Sequence, residues 1–176
     1  MIAPGRVLTN AHVVAGTRRL QVQPEGTGEA VAGTVVVYDP ERDLAVIDVP
    51  DLDAPALHFA SAQARTDADA IVLGYPLDGG YDAEPARIRD VGPIKGPDIY
   101  NSQTVTRDIY TIRGLVRSGN AGGPLVTSSG AVLGVVFAAA ADDPQTGFAL
   151  TAKEAAPVID EGQSANGRVA TGSCTE

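Results

Sequence analysis

Few side chains in this sequence can do chemistry. It holds two histidines, His12 and His58, and one cysteine, Cys174. His12 sits in Thr9-Asn10-Ala11-His12-Val13-Val14, at the end of a short β-type run. Asp43 opens the apolar run Leu44-Ala45-Val46-Ile47. An imidazole whose tautomer is fixed by a carboxylate serves as a general base toward a hydroxyl. Asp39 and Asp48 compete with Asp43 for the carboxylate role. Asp39 also suits a turn before Pro40, and Asp43 is favoured because the strand-like run follows it at once. Farther on, Gly119-Asn120-Ala121-Gly122-Gly123-Pro124-Leu125 reads as a tight turn. Gly119 allows the unusual dihedrals that aim the N–H groups of residues 119 and 121 at one point, where an oxyanion would be stabilised. Base, carboxylate and N–H pair are three of the four parts of acyl transfer. The fourth is a nucleophilic hydroxyl, which the turn from Gly119 to Leu125 does not carry. His58 has no such surroundings and reads as structural.

These groups must be carried by strands. Arg6–Thr9, the alternating Leu20 and Val22, Ala30–Tyr38 and Leu44–Val49 give about four strands by Val49. Pro50-Asp51-Leu52-Asp53-Ala54-Pro55 is a proline- and acid-rich connector. It divides the chain into 1–55 and 56–176. The second part supplies about six strands, at Ala70–Tyr75, Glu84–Val91, Asp108–Ile112, Gly123–Val126, Ala131–Ala138 and Thr146–Leu150. Gly92–Gln103, with Pro93, Gly96 and Pro97, reads as a loop, and Ser128-Ser129-Gly130 as a hairpin turn. Thr151-Ala152-Lys153-Glu154 is a capping-box signature for a short C-terminal helix to about Asp160. Pro157 argues against a longer one. The Gly/Ser/Thr-rich stretch from Glu161 to Glu176 reads as loose.

Composition agrees with an all-β domain. Of 176 residues, 44% are hydrophobic and 20% charged, with 20 glycines and 12 prolines to supply turns. The net charge of −9 disfavours nucleic acid as a partner, which demands a basic surface. The longest apolar run, Ala131 to Ala141, is too short to span a bilayer. Met1-Ile2-Ala3-Pro4-Gly5 has neither the charged nor the apolar region of a signal peptide. A single cysteine excludes an internal disulfide in the chain as it stands. Two histidines and one cysteine give no ligand cluster for a metal. No cofactor is implied.

The motifs resemble those of trypsin-like serine proteases, in the form found in the HtrA-type bacterial branch. Thr9–Val14 resembles the histidine motif, Asp43–Ile47 the aspartate motif, and Gly119–Leu125 the serine motif with Ser replaced. Thr146-Gly147-Phe148-Ala149-Leu150 resembles the strand beside the specificity pocket. More narrowly, Gly96-Pro97-Asp98-Ile99-Tyr100, Thr106-Arg107-Asp108-Ile109-Tyr110 and Val135-Val136-Phe137 resemble the MarP-type branch, membrane-anchored periplasmic acid-resistance proteases of mycobacteria and their actinobacterial relatives.

The resemblance implies two six-stranded β-barrels of chymotrypsin type, with substrate in the cleft between them. The first barrel is expected to be truncated by about two strands before Arg6, and the missing region to hold the membrane anchor and a disulfide partner for Cys174. His12 would be the base, Asp43 its orienting acid, and position 121 the nucleophile, serine in the active form. The N–H groups of Gly119 and Ala121 would form the oxyanion hole. Leu115 would floor the specificity pocket and Ala139 and Gly147 would wall it, favouring an apolar side chain before the cleaved bond. The edge of Phe137-Ala138-Ala139 would pair with the backbone of a protein or peptide substrate. Asn120 replaces the aspartate that pairs with a newly cut N-terminus in digestive relatives, which argues against activation by insertion.

Ala121 closes the acylation route. In another serine protease, losing the nucleophile alone costs about 10⁶ in turnover. Retention of His12, Asp43 and every glycine of the turn fits removal of one oxygen atom from a complete site. An engineered inactive variant comes first on that reading and a natural pseudoprotease second. The alternative of another class is a peptide-binding module that never cut, for which Ala121 is the only support.

Overall fold

The computed structural model describes residues 1–175. They fall into two compact units. One comprises Met1–Leu57, Pro97–Val105 and the chain from Ala156 onward; the other comprises His58–Gly96 and Thr106–Ala155.

The first unit is built on an antiparallel sheet of β1 (Arg6–Thr9), β2 (Leu20–Val22), β3 (Val31–Asp39) and β4 (Leu44–Asp48), in the order β1-β4-β3-β2. A single helical turn, α1 (Ala11–Val14), follows β1. Valine and isoleucine dominate because a β-branched side chain loses little freedom on a pleated surface. Val35, Ala45, Ile47 and Val49 form the core with Val14, and Val7, Leu20, Val22 and Tyr38 close over it. Each fully buried Val or Ile contributes about 1.5–3 kcal/mol. The β3–β4 register shifts between Val35 and Val37, a bulge that strengthens the local twist.

The second unit is a closed barrel of β5 (Asp69–Gly74), β6 (Asp82–Pro97), β7 (Thr104–Arg113), β8 (Pro124–Val126), β9 (Val132–Ala139) and β10 (Thr146–Thr151), in the order β10-β7-β6-β5-β8-β9. Along β6, Ala86 and Ile88 are buried while Pro85, Arg87 and Arg89 face out, the period of two that a half-buried strand demands. Val72, Ile88, Tyr110, Ile112, Leu125, Val136 and Ala149 fill the interior.

The expected strands and the short C-terminal helix are all present, and the loop and tail expectations are corrected. Residues 92–97 are strand, not loop: β6 runs on for 16 residues through Gly92, Pro93 and Gly96. Helix α2 (Ala152–Gly162) is the expected short helix and ends at Gly162, where a side chain would strike Val46. Its start follows the capping signature in half. The Glu154 N–H donates to Thr151 Oγ1 at 3.2 Å, but the Glu154 carboxylate accepts from the Asp108 N–H at 3.0 Å. The stretch after α2 is tied down. The Val169 N–H donates to the Val35 carbonyl at 3.0 Å, and the Gly16 N–H to the Thr171 carbonyl at 2.9 Å. The residues after Ala156 thus group with the first unit rather than with the 56–176 segment; Glu176 lies outside the described residues. Among the described residues, no helix is long and apolar enough to cross a membrane.

Candidate active site

The first unit presents a histidine held by a carboxylate. Asp43 ends the tight turn between β3 and β4. Asp39 builds that turn by accepting the Arg42 N–H at 2.9 Å and its guanidinium at 3.0 Å. Asp43 itself has φ 58°, a left-handed conformation that aspartate tolerates better than most residues. Its Oδ1 accepts the His12 backbone N–H at 2.9 Å, and its Oδ2 lies 2.7 Å from His12 Nδ1. Both carboxylate oxygens therefore hold the same residue. A carboxylate can only accept here, which places the imidazole proton on Nδ1 and leaves the Nε2 lone pair free. The Asp43 side chain is 4% exposed and that of His12 33%, so the carboxylate is sealed while the imidazole stays accessible. The three-way choice of carboxylate resolves in space: Asp39 bonds Arg42 and Asp48 faces Arg6 at 3.6 Å. His58 lies in the other unit, with no carboxylate partner among the described residues.

Sequence reasoning missed one supporting residue here. Asn10 stands at the N-cap of α1 yet does not cap it. Fully buried, it sends its amide Nδ2 to the Asp43 carbonyl at 2.9 Å. An Asn two residues before the histidine was the available signal.

The second unit presents the glycine turn. The Asn120 N–H donates to the Arg117 carbonyl at 3.0 Å, the Gly122 N–H to Val136 at 2.8 Å, and the Gly123 N–H to Asn120 at 3.0 Å. Among the described residues, the N–H groups of Gly119 and Ala121 have no acceptor. Gly119 is exposed and Ala121 half-buried. Two unbonded donors one residue apart can receive a developing negative charge. Gly119 has φ 97°, and a Cβ there would lie 2.7 Å from the Tyr75 carbonyl oxygen, so glycine is required twice over. Asn120 is buried and closes the turn on itself, its Oδ1 accepting the Arg117 N–H at 2.8 Å.

The segment that backs this turn was also missed. The Leu77 N–H donates to the Ser118 carbonyl at 2.8 Å, and the Arg117 guanidinium meets Asp82 at 3.2 Å. Leu77 and Asp78 are both left-handed, at φ 57° and 55°. Only the turn signal Asp78-Gly79-Gly80 hinted at this segment.

Of the expected pocket residues, Ala139 and Gly147 are brought together as direct partners across β9 and β10. A Cβ on Gly147 would lie 2.4 Å from Val116 Cγ2, so packing alone demands a glycine there. Leu115, half-buried, precedes Val116 in the chain. Phe137 is the extra residue of a bulge, since Val136 pairs with Ala149 and Ala138 with Phe148. Its ring lies 6.4 Å from that of Phe148 and 5.7 Å beneath the Arg107 guanidinium, a cation–π contact. Beside this wall, Asp143 accepts the Thr146 hydroxyl at 2.7 Å and the Gln145 N–H at 2.9 Å. Those bonds hold its carboxyl below the usual range. Among the described residues, no cluster of His, Cys, Asp and Glu could hold a metal ion.

A histidine–aspartate pair followed in the chain by a glycine turn with unbonded donors is the arrangement of one family, and comparison with known proteins agrees. Residues 1–135 match the trypsin-like peptidase domain family. The chain belongs to that family, as a serine protease domain of HtrA type with a chymotrypsin-like fold. It is 50% identical over 175 residues to the serine protease Rv3671c of Mycobacterium tuberculosis, covering 99% of this chain and 43% of that protein. The chain thus spans less than half the length of that relative. The crystal structure of the active form of the Rv3671c protease matches with a TM-score of 0.95 at 49% identity, over 100% of this chain and 77% of that one. A serine-to-alanine mutant of Rv3671c in its inactive form matches at 0.83 with 51% identity, over 93% and 79%. The HtrA-type protease AlgW, solved with a decapeptide, matches at 0.80 with 29% identity, over 92% and 49%.

Proposed function

We propose that this chain is the peptidase domain of a serine endopeptidase whose nucleophile is missing at position 121. His12 is the general base and then the general acid. Asp43 fixes its tautomer and stabilises the imidazolium. The N–H groups of Gly119 and Ala121 are the oxyanion donors, which the exchange of serine for alanine leaves untouched. Leu115, Ala139 and Gly147 shape a pocket for an apolar side chain, and Phe137-Ala138-Ala139 takes the substrate backbone. The observation that carries the reading is the double hold of Asp43 on His12. A buried carboxylate spending both oxygens on one accessible histidine has no need in the packing of the sheet, and it is what a base requires.

As written, the chain binds peptide without forming an acyl-enzyme. Its substrate is a protein or peptide, as the decapeptide in AlgW suggests by analogy. Its place is outside the cytoplasm, tethered to the membrane in the longer protein and serving acid resistance, by its likeness to the MarP-type branch. The test is Ala121→Ser followed by a fluorophosphonate probe. Labelling is expected, and His12→Ala in the same protein abolishes it. A folded Ala121→Ser protein that stays unlabelled would overturn the reading.

A further inference from the structure

Helix α1, which carries His12, is four residues long. One turn is too short to hold itself, because nucleation fixes several dihedrals for a single hydrogen bond. Its N-cap side chain is committed elsewhere, to the Asp43 carbonyl. Its far end must be held from outside.

That hold comes from the segment after α2. The Arg6 guanidinium accepts no proton and donates to the carbonyls of Gly162 at 3.3 Å and Ala165 at 2.6 Å, turning the chain back. Val169 then bonds β3. Thr171 is 7% exposed between exposed neighbours on both sides, so it enters the unit as a peg. Its carbonyl accepts the Gly16 N–H at 2.9 Å, and its hydroxyl donates to the Thr17 carbonyl at 2.7 Å. Thr17 passes the hold on, its hydroxyl and N–H both donating to the Val14 carbonyl, at 2.7 and 3.1 Å. Val14 is the last residue of α1. Gly16, at φ 73°, lies so close under the strap that a Cβ would be 2.7 Å from the Cys174 backbone nitrogen. Finally, the Thr175 hydroxyl reaches the His12 carbonyl at 3.5 Å.

We infer that residues 169–175 are a strap that sets the orientation of His12, with Thr171 as the positioning residue. The hydroxyl of Thr171 acts through Thr17 and Val14 on the turn bearing the base, and keeps Nδ1 in line with Asp43. Misplacing a reacting group by about 1 Å can cost about 10²-fold in rate, so a loosened turn shows in chemistry before it shows in folding. The inference rests on the proposed role of His12 only for its effect on turnover.

The experiment has two arms. In the Ala121 protein, proton NMR follows the low-field signal of the His12 Nδ1–H bonded to Asp43, assigned with His58→Gln. Thr171→Val keeps the side-chain shape and removes the hydroxyl. The signal is expected to broaden and exchange faster with water, while Thr171→Ser restores it. In the Ala121→Ser protein, Thr171→Val is expected to lower kcat by about 10- to 100-fold with KM nearly unchanged, and Thr171→Ser to recover it. A folded Thr171→Val protein with an unaltered His12 signal overturns the strap. Should Thr171→Val fail to fold, Gly16→Ala, which lifts the strap from the other side, decides by the same signal. An Ala121→Ser protein without activity, but with a His12 signal that responds to Thr171→Val, would sink the proposed function and leave the strap standing.

Discussion

At the scale of single residues, the arrangement turns on which atoms of Asp43 are spent. Both oxygens bond His12, one to its backbone and one to its ring. Asparagine in that place can accept from the backbone N–H, but its amide would point a donor at Nδ1 and invert the tautomer. In the Ala121→Ser protein, Asp43→Asn is therefore expected to lower kcat by about 10⁴, the loss seen for this exchange in another triad enzyme. Its thermal stability should stay close to the parent. A kinetic loss below about tenfold would mean that Asp43 does not govern the base. His12 and Asp43 were legible in the sequence because their chemistry lies in their side chains and each heads a recognisable apolar run. Asn10, Arg117 and Leu77 were not. Asn10 and Leu77 bond backbone carbonyls far away in the chain, and Arg117 holds the glycine turn through its backbone and the Asp82 carboxylate; a backbone acceptor leaves no mark on the sequence that supplies it.

At the scale of elements, the β6–β7 hairpin departs furthest from the sequence reading. Gly92, Pro93, Gly96 and Pro97 signal a loop by their local preferences, yet the strand continues through them. Its tip is held by one carboxylate. Asp98 accepts the Ser102 hydroxyl at 2.5 Å and the N–H groups of Ser102 and Tyr100 at 2.8 and 3.1 Å. The tip is joined to the end of β3 by the phenols of Tyr100 and Tyr38, 2.5 Å apart. The Ser102 hydroxyl, followed by the surrounding N–H donors, holds the Asp98 carboxyl below its ordinary value of 3.8. A carboxyl lowered by folding stabilises the fold fully above its unfolded pKa. That contribution is lost as pH falls through the lowered value. Melting temperature against pH should therefore fall below about pH 4, and Asp98→Asn should flatten that limb while lowering the melting temperature at neutral pH. An acid limb unchanged by Asp98→Asn would remove Asp98 from the account.

The tail teaches the same lesson as the hairpin. Gly167, Thr171, Gly172 and Ser173 read as loose, since nothing in such a composition buries much apolar surface. Order there comes from Thr171 and from main-chain bonds to β3 and Gly16. Pro157 sits inside α2. The helix was expected to run past it to about Asp160 and ends at Gly162 against Val46, so tertiary packing outweighs the local cost.

At the scale of the whole molecule, the four-strand sheet and the six-strand barrel were legible because alternation and turn residues mark each strand. Which segments belong to which unit was not, since membership depends on contacts between residues far apart in the chain. The match to the active form of the Rv3671c protease runs over the full chain at a TM-score of 0.95. A protein with this backbone and no nucleophile should hold a peptide with an apolar residue before the scissile bond and leave it whole. Calorimetry is expected to show binding to the Ala121 protein, with the peptide intact by mass spectrometry after prolonged incubation. Ala121→Ser should consume the same peptide. Cleavage by the Ala121 protein would overturn the missing-nucleophile reading.

The first unit also draws on both ends of the sequence, Met1–Leu57 and the residues from Ala156 onward. A ribosome makes these a full barrel apart, the N-terminal part first. His12 and Asp43 emerge early, and the strap that bonds Gly16 and Thr17 emerges only after the whole barrel. The turn bearing His12 is thus without that hold until the barrel has been made.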